Sequence, residues 1–196
     1  MTISGPATAP AARGSAMTRP ALLIIDMINT FEFKGAASLL RAAGPAARRI
    51  ATLRKRWHAA GAPVIYVNDN FMRWQADFRE LVAVCMHDGM PGAEIARLLQ
   101  PGPDDYFVLK PKHSAFMSSP LDVLLAKLGA RELALTGVAA DSCIVATAQD
   151  AHMRELRVRV PRDCVAAISD ARTERALALL RDGWEADVRA SRGLRP

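Results

Sequence analysis

A chain of 196 residues, 51% hydrophobic, has room for one domain with a sizeable core and little room for a second. No apolar run approaches the ~18 residues a membrane span requires, and residues 1–19 lack the apolar stretch of a secretory signal, so a soluble, cytoplasmic protein is expected. The net charge of +6 and a pI near 9.7 raise the question of nucleic acid, but the densest basic stretch, RRIATLRKR at 48–56, spaces Ile50, Leu53 and Trp57 at helical intervals. That describes an amphipathic helix with its basic face in water, and neither nucleic acid nor membrane is expected as a partner.

Residues 1–19 are rich in Ala, Pro, Gly, Ser and Thr without periodicity and read as a mobile tail ahead of a single domain at 20–196. Residues 21–25 form a continuous apolar run, as expected of a parallel strand buried on both faces, and Asp26 follows at its carboxyl end. In open α/β sheets the ligand crevice lies outside the carboxyl ends of the strands, so a catalytic carboxylate would project here; capping of the next turn is the alternative. A helical pattern over 45–60 ends at Gly61, and PVIYV at 63–67 begins a second strand. Residues 71–85 form an excursion containing Trp74 and Phe78, followed by a short helix that ends near Gln100. Such insertions often wall pockets, and these two aromatics either do so or pack in the core. A third strand at 106–109 carries Lys110 at its end, and Pro111 forces a turn directly after it.

Further on, a helix at 121–128 stops at Gly129, residues 133–138 make a fourth strand, and a helix follows at 142–156. A fifth strand at 158–160, a helix at 170–180 and a sixth strand at 186–188 complete the pattern. This alternation indicates a three-layer α/β/α fold around a six-stranded, mainly parallel sheet. Cys143 stands where the fourth strand gives way to its helix, with Asp141 and Ser142 as N-cap residues. Free N–H groups and the positive end of the helix dipole there favour an anion, so this thiol is expected to ionise more easily than a free one. A buried structural cysteine is the competing reading. Cys85, Cys143 and Cys164 form neither an even disulfide set nor paired zinc spacings, which points to reduced thiols.

The stretch LALTGVAADSCIVATAQDA at 133–151, with LLIIDMINTF at 22–31 and VLKPKHSAF at 108–116, resembles the isochorismatase-like cysteine hydrolases, whose members include nicotinamidases and N-carbamoylsarcosine amidohydrolases. The three motifs occur in the family's order, and the resemblance covers about residues 20–169. It implies a catalytic Asp26, Lys110 and Cys143, an oxyanion hole at the backbone N–H groups of Ala139 and Cys143, a cis bond between Val138 and Ala139, and the strand order 3-2-1-4-5-6. Lys110 is chosen over Lys112 because the family's lysine stands four residues before the Ser of Ser-Ala-Phe, here Ser114, Ala115 and Phe116; Lys112 is expected to be solvated. The order sets strands one and four side by side at the switch point, but leaves strand three two places from strand one, on the order of 10 Å away, so the lysine loop has to lean inward.

Phe31, Asn70, Trp74 and Phe116 are candidate pocket residues. The chain departs from the nicotinamidase branch, which carries an Asp-x-His metal motif near residue 70, and its four histidines are scattered, so no metal and no cofactor are expected. The resemblance implies a metal-independent hydrolase of a C–N bond in a small amide or carbamoyl substrate, and a homo-oligomer is the expected assembly. The alternatives are an isochorismatase-like vinyl-ether hydrolase, which would not require the cysteine, and a non-catalytic binding or redox-thiol protein on the same fold.

Overall fold

The computed structural model describes residues 20–71 and 74–196. The segment 1–19, expected to be a tail, lies outside the described residues. Strands β1 (Ala21–Ile25), β2 (Val64–Asp69), β3 (Tyr106–Lys110), β4 (Glu132–Val138) and β5 (Arg157–Arg159) run in the order β3-β2-β1-β4-β5, and every pairing is parallel. The sixth strand, β6 (Val165–Ala166), pairs with Gly137 and Val138 of β4, beyond the point where β5 leaves that edge. The strand expected at 186–188 is reduced to one bridge between Asp187 and Arg159. Its physical reason is local: the Asp187 carboxylate accepts from the backbone N–H of Arg189, an Asx-type turn that bends the chain away from the ladder.

The period-2 alternation of a strand divides β1 between two cores. Leu22 and Ile24 face helix α1 (Ala36–Ala59) with α2 (Phe78–Met86) and α3 (Ala93–Leu98). Ala21, Leu23 and Ile25 face α4 (Leu121–Leu128), α5 (Val145–His152) and α6 (Asp170–Trp184). Burial on both sides is why the central strands read as unbroken apolar runs.

Helix α1 begins nine residues before the expected position and carries Pro45 in its interior. An interior proline costs about 3 kcal/mol. The buried stripe Ala36, Leu39, Ala43, Ala46, Ile50, Leu53 and Trp57 nevertheless runs through it without a break, and packing of that stripe on the sheet holds the helix together. Its basic face is only partly in water. Arg48, Arg49 and Lys55 are exposed, whereas Arg54 donates to the Tyr66 hydroxyl and the Gln100 carbonyl, and Arg56 to the carbonyls of Ser191 and Leu194. Part of the charge that could suggest a polyanion partner thus ties α1 to neighbouring segments. Among the described residues, no helix is long and apolar enough to cross a membrane.

Candidate active site

Asp26, Lys110 and Cys143 leave the carboxyl ends of β1, β3 and β4 and meet in one cleft of about 780 Å³. Asp26 continues the ladder, its N–H donating to the Val67 carbonyl at 2.9 Å, and then turns into the left-handed region with φ 52°. Aspartate is one of the few residues that adopts this conformation readily. The turn leaves its carboxylate buried over the sheet. One oxygen accepts the Asp69 N–H at 2.8 Å and the other lies 2.9 Å from the Lys110 ammonium. Lys110 Nζ is also 3.6 Å from Cys143 Sγ, and the thiol shares a hydrogen bond with Asp26. The lysine is only 2% exposed, so the pair operates largely out of water.

The thiol does not open a regular helix. Residues Ala140–Ile144 form a π turn ahead of α5, and Cys143 is its fourth residue. The N-cap position is Ala139, without a side-chain cap, while Asp141 pairs with Arg172 of α6, so neither Asp141 nor Ser142 caps the helix as expected. Such π turns are frequent at functional sites. The Val138–Ala139 bond is cis, as the resemblance implies, and Val138, Ala139 and Cys143 all line the cleft.

The electrostatics also differ from the expectation of an easily ionised thiol. Burial, with the Asp26 carboxylate next to it, pushes the Cys143 thiol up to about 12, and Lys110 offsets only part of this. Burial likewise raises the Asp26 carboxyl above its usual range despite Lys110, the thiol bond and the Asp69 N–H. Burial pulls the Lys110 ammonium down, but Asp26 and then Cys143 more than restore it. Lys110 is thus held as an ammonium and Cys143 as a protonated thiol, with one Asp26 carboxyl oxygen 2.9 Å from the ammonium.

Burial also pushes Cys85 and Cys164 up to about 12, so access separates the three thiols. Cys85 and Cys164 are fully buried, whereas Cys143 is half-buried in the cleft. Iodoacetamide at neutral pH is expected to modify Cys143 first, as read by peptide mapping; preferential modification of Cys164 would mean that the accessible thiol is misassigned.

None of the four candidate pocket residues lines the cleft. Phe31 packs into the α1 core and Phe116 into the opposite core beneath Arg154. Asn70 is buried and accepts the Trp74 N–H, and Trp74 itself is 62% exposed, outside the cleft. The walls are instead Asn29, Thr30, Glu32 and Phe33 after β1, Asp69 and Phe71 at the end of β2, and Lys112 and His113 after β3. The signal that finds them is position, because each follows or closes a parallel strand at its carboxyl end. Lys112 is exposed as expected, but it faces this opening. Gly92 fixes the first wall: a Cβ there would stand 2.0 Å from the Asn29 carbonyl oxygen. Among the described residues there is no group of three or more His, Cys, Asp or Glu side chains that could hold a metal ion.

Residues 20–189 match the family model described as the Isochorismatase domain. The chain is 37% identical over 168 residues to the isochorismatase family protein YaaI of Bacillus subtilis, covering 86% of this chain and 92% of that one. It is 28% identical to the ureidoacrylate amidohydrolase RutB of Methylorubrum extorquens, covering 92% and 90% of the two chains. Among solved structures, the N-carbamoylsarcosine amidase of Thermoplasma acidophilum superposes with a TM-score of 0.71 at 27% identity, over 91% of this chain and all of that one. The sheet order, the cleft at the strand ends and these likenesses converge, and the chain belongs to the isochorismatase family.

Proposed function

We propose that the protein is a metal-independent cysteine hydrolase that cleaves a C–N bond of a small amide or carbamoyl compound through a thioester. The observation that carries this reading is the contact of one carboxylate with both a buried ammonium at 2.9 Å and a thiol, inside a cleft sized for a small molecule. Asp26 accepts the Cys143 proton as the sulfur attacks the carbonyl carbon, and Lys110 balances the negative charge that develops. The N–H groups of Ala139 and Cys143 receive the oxyanion, each contributing about 3 kcal/mol to the barrier reduction. Protonated Asp26 then gives its proton to the departing nitrogen. It next takes a proton from the water that hydrolyses the thioester, and the acid product leaves with the thiol restored. Relatives named as an amidohydrolase and an amidase support C–N chemistry here. A vinyl-ether hydrolase would need only the carboxylate, so the thiol bonded to Asp26 favours acyl transfer.

Release of ammonia from a panel of amides, ureido and carbamoyl compounds tests the reading. At least one compound is expected to yield ammonia with the wild-type chain and none with Cys143→Ala. Equal release by both proteins would remove the cysteine from the mechanism.

A further inference from the structure

Lys110 reaches the thiol from a strand that is separated from β1 by β2, and the structure shows what closes that gap. After Pro111 the chain crosses toward α5 and docks on one face of it. Thr147 and Asp150 stand three residues apart on one face of α5, with Cys143 in the π turn that leads into it and Arg154 just past its end. The Ala115 N–H donates to the fully buried Thr147 hydroxyl at 3.0 Å. Ser114 is buried; its hydroxyl donates to Asp150 and accepts the Phe116 N–H at 3.2 Å. Arg154, just past the helix, lies 4.5 Å from the centre of the Phe116 ring, donates to the Asp150 carbonyl and pairs with Asp122 of α4. Ser114, Ala115 and Phe116 thus touch the cysteine helix rather than the cleft.

We propose that Thr147 and the Ser114–Asp150 pair are positioning residues, which hold the Lys110 ammonium against the Cys143 thiol by docking the lysine loop onto the helix that carries the cysteine. This rests on the reading of Lys110 and Cys143 given above. The clamp works through the helix itself: the element that sets the sulfur also sets the loop, so the two groups keep one spacing. A hydroxyl at 147 is required because the buried Ala115 N–H has that oxygen as its acceptor, and a buried donor left without one is strongly disfavoured.

The test reads the thiol directly and needs no substrate. The rate of iodoacetamide labelling of Cys143 is measured against pH by peptide mapping, alongside Tm, for wild type, Lys110→Met, Thr147→Val, Thr147→Ser, Ser114→Ala and the double variant Thr147→Val/Lys110→Met. Lys110→Met is expected to slow labelling at pH 8 by roughly tenfold, the effect of about one unit in the thiol's pKa. Thr147→Val and Ser114→Ala are expected to move the profile in the same direction, Thr147→Ser to restore it, and Thr147→Val to add nothing once Lys110 is already Met. Lower melting temperatures with wild-type labelling profiles would make these contacts merely structural and overturn the proposal. So would a Thr147→Val effect that persists in the Lys110→Met background. Should Thr147→Val fail to fold, Ser114→Ala and Asp150→Asn carry the same comparison. A Lys110→Met profile identical to wild type would instead sink the lysine–thiol coupling on which the clamp rests.

Discussion

Asp26→Asn is expected to lower amide hydrolysis by roughly 10²–10⁴-fold, since a positioned acid/base contributes about that much. Asn is the informative replacement. It tolerates the left-handed backbone that Asp26 adopts at φ 52°, and its carbonyl oxygen can still accept the Asp69 N–H. It cannot take the thiol's proton. The change also leaves the buried Lys110 without its counter-ion, and breaking a buried pair from one side costs about 3–5 kcal/mol, so Tm is expected to fall. Circular dichroism at the assay temperature separates that loss from the chemical one. Lys110→Met leaves the converse defect, and the double variant should lose far less activity than the product of the two single losses, because groups that act as a unit cannot each be removed at full effect.

The pH profile carries a second signature of the same residue. The proposed mechanism requires Asp26 as carboxylate, so activity is expected to fall as pH drops through its pKa; burial holds that carboxyl above the usual range, and the acid limb of kcat/KM should lie at correspondingly higher pH. Near-normal turnover by a folded Asp26→Asn, or an acid limb at the pKa of a free carboxylate, would reduce Asp26 to a turn residue.

What the sequence disclosed follows from what each segment had to bury. β1 and β4 lie at the centre of a doubly covered sheet, and their apolar runs, with Asp26 and Cys143 just beyond, were legible at once. The first half of α1 was not, because Pro45 reads as a boundary when only local rules are applied, whereas the stripe from Ala36 to Trp57 is stabilised by contacts with the sheet. The sixth strand was misplaced for a similar reason. Two residues, Val165 and Ala166, carry no periodicity to detect, and they pair only because β4 still has a free edge beyond β5. Three of the four expected pocket residues, Phe31, Trp74 and Phe116, are aromatic. Phe31 and Phe116 are large because they fill cores, while the cleft wall uses Phe33, which is half exposed and lies two residues further along. The ionisation of Cys143 could not be read from its place after a strand, since burial in the folded cleft raises it most and the next contributor, Asp26, comes from 117 positions earlier in the chain.

Gly137→Ala should be among the most destabilising single-methyl additions in this chain, by roughly 3–5 kcal/mol, and on a chain of this size that lowers Tm by on the order of 10 °C. Gly137 is paired with Ile25 in the β1–β4 ladder, one residue before Asp26 and six before Cys143. Its φ of +114° lies where side chains are rarely found, and an added Cβ would stand 2.0 Å from the Ile25 carbonyl oxygen and 2.9 Å from the Ile25 nitrogen. Backbone cannot rotate aside as a flexible side chain would, so the two central strands must separate where they hold the carboxylate and the thiol. Activity is expected to fall more than Tm implies, because a small displacement between Asp26 and Cys143 breaks the hydrogen bond through which, on the proposed mechanism, the thiol gives up its proton. Thermal melts and ammonia release on the same preparations check both effects. A variant that melts within about 2 °C of wild type would show that β1 and β4 can part at this point at little cost, and retained turnover would show that the proton transfer does not depend on their close approach.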